Sequence, residues 1–242
     1  MTDEHPENQF IERLIEYAAS FDPSFPGQIV GVSRAEMLQL ERCAGISLPD
    51  AYYGYVSRMG RASGKVELVT DGSTAFSDVL RQYEQTIRSG AERLSDRCVV
   101  LAVGELAYQF ICVDLSEPPD APVRFTANER RLRLISESLE KLLYRHVFYQ
   151  VGLPRMAHCG FFFEGTKQPS VDRYAADFEG RRFERKWFSD SVAFCGERDD
   201  ARVYVEQIEG QGTTILLGCE SRDELEGIGA LIEVRLGARR KA

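Results

Sequence analysis

The side chains that could carry chemistry are spread thinly along this chain. Three histidines, six cysteines and one tryptophan occur in 242 residues. A thiolate nucleophile needs a base beside it, and His158 directly precedes Cys159. Successive side chains on a strand point to opposite faces, however, so the two do not form a catalytic couple by themselves. His5 lies in an acidic tail, and His146 flanks the apolar face of a helix pattern. Cys43, Cys98, Cys112, Cys159, Cys195 and Cys219 include no C-x-x-C pair, so neither a zinc site nor a redox motif is indicated. They read as small buried hydrophobes in a reducing compartment. Neither a G-x-S-x-G elbow nor an H-E-x-x-H helix occurs.

Two segments invite a phosphate-loop reading and fail it. GRASGKV at 60–66 has one residue too few between its glycines and places Val66 where a magnesium-binding hydroxyl is required. GFFFEGTK at 160–167 reverses Lys and Thr and fills the loop with bulk that cannot make a tight anion nest. Asp114, Glu117 and Asp120 form an acidic loop and Asp199–Asp200 a second. Without a cleft that makes two of them converge, they read as solvated turns, and Asp114 is expected to end its strand by bonding nearby backbone N–H groups. Arg124-Phe125, Arg130-Arg131-Leu132-Arg133 and the run Arg181 to Trp187 interleave cations with aromatic or apolar residues, as nucleic-acid grips do. Glu129, Glu184 and a net charge of -8 dilute that field, which argues against nucleic acid. Trp187 reads as a core residue. The expectation is a chain that is not an enzyme, with no cofactor and no metal.

An apolar content of 43% with 10% aromatics argues for a folded globule of one or two domains. No apolar run approaches the roughly 20 residues of a membrane span, and MTDEHPENQ is acidic where a signal peptide is basic and then apolar, so the cytoplasm is expected. Residues 1–26 hold Asp3, Glu4, Glu7, Glu12, Glu16 and Asp22 against Arg13 alone, while Arg235, Arg239, Arg240 and Lys241 fall in the last eight. Solubility accounts for both, and a basic partner would suit the acidic total.

Residues 33–64 organise the rest. Ser33 with Glu36 is a capping box; Met37, Leu40 and Ala44 give one apolar face; Gly45 suits a left-handed helix end. Pro49 fits the start of a second helix, whose Tyr52, Tyr55, Val56 and Met59 follow at helical spacing before Gly60. The ordered set Glu36, Leu40, Glu41, Gly45, Ile46, Leu48, Pro49, Tyr52, Val56 and Gly60 resembles the signature of the SUKH superfamily, which contains bacterial toxin-immunity proteins and a fungal cell-wall-synthesis regulator. Val99 to Val103, Phe110 to Asp114, Pro122-Val123 and Ser138-Leu139 with Leu142 continue the resemblance to about residue 148; Leu139 departs from the usual aromatic.

The remaining elements follow from periodicity. A first helix carries Phe10, Ile11, Leu14, Ile15 and Ala18 and ends near Pro23; a strand runs from Lys65 to Thr70 with a turn at Asp71-Gly72; a helix covers about 76–90. Strands are expected at Cys98–Val103, Tyr108–Asp114 and Pro122–Thr126, then a Ser-capped helix bearing Leu139, Leu142, Leu143 and Val147. Beyond Gln150 come a strand at 160–164, a helix capped by Ser170 and ended by Gly180, strands at 187–195, 201–208 and 213–218, and a helix from Ser221. The sequence thus predicts an α/β (α+β) fold: residues 1–32 a helix and connecting loop, 33–150 a domain for which the resemblance implies a SUKH-like central mixed or antiparallel sheet flanked by helices, and 151–242 a strand-strand-strand-helix subdomain whose element order is that of a degenerate repeat.

The resemblance implies a non-enzymatic protein-binding module, an immunity protein that neutralises a cognate toxin by occluding its active site; a basic nuclease-type domain is the toxin that the acidic total would suit. The alternative is an intracellular scaffold or regulatory adaptor. Partner-contact candidates are Asp71, Glu105, Tyr108, Asp114, Glu117 and Asp120, at or beside strand ends. Glu41, Gly45, Leu48, Pro49, Tyr52 and Gly60 are assigned structural roles.

Overall fold

The computed structural model describes residues 9–69, 71–89, 97–105, 109–116, 121–126, 132–165, 170–208 and 212–241. In chain order the first half contains α1 (Gln9–Phe21), β1 (Ile29–Val30), α2 (Arg34–Ala44), α3 (Asp50–Met59), β2 (Ala62–Ser63), β3 (Gly72–Ser73), α4 (Phe76–Ser89), β4 (Cys98–Gly104), β5 (Phe110–Asp114), β6 (Val123–Thr126), β7 (Leu132–Ser136) and α5 (Leu139–Val147). The second half contains β8 (His158–Glu164), α6 (Val171–Glu179), β9 (Glu184–Arg185), β10 (Ala193–Arg198), β11 (Ala201–Ile208), β12 (Gly212–Cys219), α7 (Arg222–Leu236) and β13 (Arg239–Lys241). The fold is α+β, and every strand pair among the described residues is antiparallel. One sheet runs β3-β4-β5-β6-β7; another runs β13-β8-β12-β11-β10-β9; β1 and β2 make a small ribbon. Both halves share the order helix, four-strand meander, helix.

The helical pair at 33–64 forms as its punctuation requires. Ser33 accepts from the Glu36 N–H while Glu36 accepts from the Ser33 N–H, and Gly45 sits at φ 76. The Glu41 carboxylate then accepts the Leu48 N–H at 2.9 Å, which fixes the turn between α2 and α3. Pro49 stands one position before α3 rather than in its first turn. Gly60 packs where a side chain has no room, since a Cβ there would lie 2.6 Å from the Val56 carbonyl.

Both main irregularities of the first sheet are plugged by helix side chains. The ladder between β4 and β5 slips between Val100 and Ala102, and there Tyr52 donates to the Val100 carbonyl at 2.9 Å while the Val100 N–H donates to Tyr83 at 3.0 Å. The ladder between β6 and β7 slips at Ile135, whose carbonyl accepts from the Arg145 guanidinium. Arg145 also pairs with Asp190 at 3.2 Å, and neither side chain has any exposed surface. Asp190 in turn accepts from the backbone of Val192 and Ala193, the Ser136 hydroxyl and the Glu137 N–H.

This knot joins the two sheets. After α5 the helix continues through a wider turn, Phe148–Gly152, and a tight one, Leu153–Arg155; residue 150 therefore lies within continuous helical backbone. One hydrophobic cluster runs from α1 through α5 to Phe188, Ala193, Cys195 and Tyr204. Period-two alternation then splits the second sheet. Tyr204 and Cys195 face that cluster, while Val203, Val205 and Phe194 face a second core under α6 and α7.

Four expectations need correction. Lys65–Val69 is not a strand: Val66 and Leu68 are buried as the alternation predicts, but the Glu67 backbone bonds to Gln150 and His146 side chains instead of to a neighbouring strand. Gly72 belongs to β3 and not to a turn. Residues 187–192 are a loop wrapped around Asp190, so the strand begins only at Ala193, and Gly196 lies inside it. Gly180 keeps a helical φ of -59, and the left-handed residue that ends α6 is Arg182, at φ 68. Strand β7 was not expected at all, because Leu132 and Arg133 read as part of a basic segment, which masked the alternation of Leu132 and Leu134.

Arg145→Met strands a buried carboxylate and should lower the free energy of unfolding by about 3–5 kcal/mol. Gly45→Val, forced into a left-handed conformation, should cost about 1–2 kcal/mol. Urea unfolding followed by circular dichroism measures both, and losses within error of zero would refute these assignments.

Candidate functional site

The strand-end carboxylates fall into two separate places. Asp71 and Glu105 are exposed neighbours, because the Glu105 N–H donates to the Asp71 carbonyl at 3.1 Å where β3 meets β4. Asp114 lies at the other end of the same sheet, paired with Cys98, and β5 at ~3.3 Å per residue separates the ends by roughly 15 Å. Its carboxylate accepts from the Ser116 N–H and hydroxyl and from Arg124 at 2.7 Å. Burial alone would raise its pKa; the bonds from Ser116 and Arg124 outweigh that and lower it. Asp114 thus ends its strand as expected and has its acceptor sites taken within the fold. Tyr108, Glu117 and Asp120 lie outside the described residues.

Asp22 is a second structural carboxylate of this kind. It accepts from the Ser24 N–H and hydroxyl and pairs with Lys65 at 2.9 Å and Arg155 at 2.8 Å, tying three loops together. Hydrogen bonds from Ser24 and then Lys65 hold it well below the ordinary carboxylate range.

The histidines and cysteines do not assemble a catalytic pair among the described residues. His158 lies opposite Cys219 and Cys159 opposite Gly218, so their side chains leave opposite faces of β8. Cys159 is exposed and Cys43 half-buried, against the expectation that all six are buried; Cys159 donates to the Leu153 carbonyl at 3.6 Å, and partial desolvation pushes its thiol pKa up, away from the thiolate. Among the described residues no group of three or more His, Cys, Asp or Glu side chains is placed to hold a metal, and no helix is long and apolar enough to cross a membrane. His146 is buried with Nδ1 2.8 Å from the Glu67 carbonyl, so that nitrogen carries the proton, and the Tyr149 hydroxyl lies 3.0 Å away.

A different region forms a groove of about 730 Å³. Arg181, Arg182, Glu184 and Lys186 make one wall, and the hairpin from Glu197 to Asp200 makes the other. Arg198 is committed to Asp200 at 2.7 Å and to Glu224, and its guanidinium lies 4.9 Å from the centre of the Phe183 ring. Lys186 and Arg202 share Glu197. Arg181 and Arg182 have no carboxylate partner among the described residues. Beside the groove stands Trp187, 57% exposed, edge-on to Tyr144 with ring centres 4.8 Å apart. The core reading of Trp187 is therefore corrected: Phe188 takes the buried position, at 2% exposure. Its position in a loop, and not on the expected strand, places it outside the core.

Compared with family models and with curated proteins, the chain matches none.

Sequence reasoning did single out the run 181–187, as a nucleic-acid grip that Glu184 and the negative net charge argued against. Phe183 is buried, which removes one of its two aromatics from any stack. Arg145 and Asp190 were missed, although an arginine among Leu142, Leu143, His146 and Val147 was a visible oddity.

Burial, and then the nearby Arg145 charge, lower the pKa of His146 from 6.5 to about 3. The unfolded chain takes up this proton near pH 6.5 and the folded one only near 3, so the stability is present above that range and is lost as pH falls through it. Between pH 6.5 and 5 the loss should be on the order of 2 kcal/mol. Unfolding titrations of the parent and His146→Gln should diverge over that interval; parallel curves would contradict the buried neutral ring.

Proposed function

We propose that this chain is a non-enzymatic protein-binding module, an immunity protein that neutralises a cognate bacterial toxin by covering its active site. The observation that carries the reading is the 33–64 unit. Its family-like residues occupy interlocking structural positions: Glu41 on the Leu48 N–H, Gly45 left-handed, and Tyr52 on the Val100 carbonyl. Such a rigid support suits a surface that binds without rearranging.

Asp71 and Glu105 project beside one another from that support and carry charge of the sign that a basic nuclease-type groove attracts. Mutual attraction of this kind steers encounter, so association should slow as salt rises. The exposed Trp187 favours a second reading, an adaptor whose residues 151–242 engage another protein.

Co-expression with the toxin encoded next to this gene should restore growth, and the paired charge reversal Asp71→Lys/Glu105→Lys should slow association about tenfold or more at low salt. Absence of rescue by the parent chain would count against the immunity reading. Full rescue together with salt-insensitive, unchanged association of the variant would remove Asp71 and Glu105 from the contact surface.

A further inference from the structure

Two other sheet edges, at β7 and β13, are partly closed by side chains. At β7 the Ile135 carbonyl is taken by Arg145 and the following Glu137 N–H by Asp190. At β13 the Arg240 N–H, which faces away from β8, is taken by the Glu233 carboxylate at 3.2 Å. The edge at β9 is different. Lys186 donates to the Cys195 carbonyl, and hydrogen-bonded pairs alternate along an antiparallel ladder, so the N–H and C=O of Arg185 point away from β10. Among the described residues nothing meets them.

A two-residue, charged edge can serve only to discourage aggregation. Two features here go further than that role needs. Arg182 occupies the left-handed position at the end of α6, with its N–H on the Glu179 carbonyl and the Phe183 N–H on the Phe178 carbonyl, a geometry in which glycine is the usual residue. Arginine there is strained, and its guanidinium has no described carboxylate partner. Trp187, two residues beyond Arg185, stands out of the core.

We propose that the β9 edge is a strand-docking site for an extended segment of a partner protein. The segment pairs with the outward N–H and C=O of Arg185, presents a carboxylate to Arg182 and rests an apolar side chain on Trp187. A polypeptide fits this edge better than nucleic acid does: Glu184 and Asp199 stand in the groove against phosphates, and the Phe183 ring is buried under the Arg198 guanidinium. The proposal rests on the protein-binding reading above and assigns that reading a second surface.

The test pans a phage-displayed library of random short peptides against the whole protein. Enriched peptides are then titrated by the fluorescence of Trp187, which as the only tryptophan reports this edge directly. Peptides combining acidic and apolar residues should be enriched. Arg185→Pro, which deletes the outward N–H, should weaken them about tenfold or more, while Arg185→Ala, which keeps it, should not. Proline also strains β9, so Arg182→Gly provides a second variant; it should match or exceed the parent in thermal stability and still weaken the peptides.

Peptides that bind Arg185→Pro and Arg182→Gly as tightly as the parent overturn the proposal, as does a panning with no enrichment over Trp187→Ala. A thymidine oligonucleotide that shifts Trp187 when no peptide does overturns it in favour of nucleic acid. These arms contain no toxin, so their failure leaves the growth-rescue test standing. Peptide binding without rescue removes the immunity reading and keeps the edge.

Discussion

The buried Arg145–Asp190 pair is the interaction on which the rest of this structure depends. Removing two charges from water is costly, and the hydrogen bonds that both groups make offset much of that cost, although the buried Arg145 Nε has no hydrogen-bond partner among the described residues. Asp190 receives backbone N–H groups from its own loop and from Glu137, and Arg145 closes the irregularity in β7. One carboxylate thereby shapes the loop that leads into β10 and anchors that loop to the last strand of the first sheet. The two sheets are joined by polar bonds of defined geometry, and the apolar cluster around Tyr17, Tyr144, Phe148 and Phe188 fills the space beside them.

The same economy governs the first sheet. A slipped ladder leaves backbone groups unpaired, and an unpaired buried peptide costs about 1–3 kcal/mol. Tyr52 and Tyr83 reach from α3 and α4 to the Val100 peptide, so the slip is also where the helices are fixed to the sheet. Tyr52 on α3 and Tyr83 on α4 share the task. Strands held this firmly deliver Asp71 and Glu105 to one sheet end with little freedom, which suits recognition by a fixed surface. The second sheet uses its two faces for two cores and leaves β9 at its margin, where the backbone, an arginine with no carboxylate partner among the described residues and the only tryptophan meet solvent.

Much of the local structure was legible because its causes are local. The capping box at Ser33 and Glu36, the left-handed Gly45, the Ser138 cap and the span of β11 each follow from a few neighbouring residues. The misreadings share one cause. Val66 and Leu68 alternate like a strand, yet Gln150 and His146 supply the hydrogen bonds from another part of the chain. Residues 187–192 look like strand because Phe188 and Val192 are buried, yet Asp190 bends them. Of the candidate contacts, the strand-end positions of Asp71, Glu105 and Asp114 were readable; that Asp114 is consumed by Ser116 and Arg124 while Asp71 and Glu105 stand together was not.

The sequence by itself determined most element types, the Ser33, Gly45 and Ser138 caps, the buried helix faces and the exclusion of phosphate loops, since each depends on side-chain type and spacing within a few turns. Only the tertiary structure decided which charges were neutralised in the core and which remained at the surface. Arg145 and Arg182 are chemically the same residue, but one lies against Asp190 out of water and the other at the mouth of a groove. That difference depends on contacts between residues more than 40 positions apart, as the Arg145–Asp190 separation of 45 illustrates, and no local pattern encodes it.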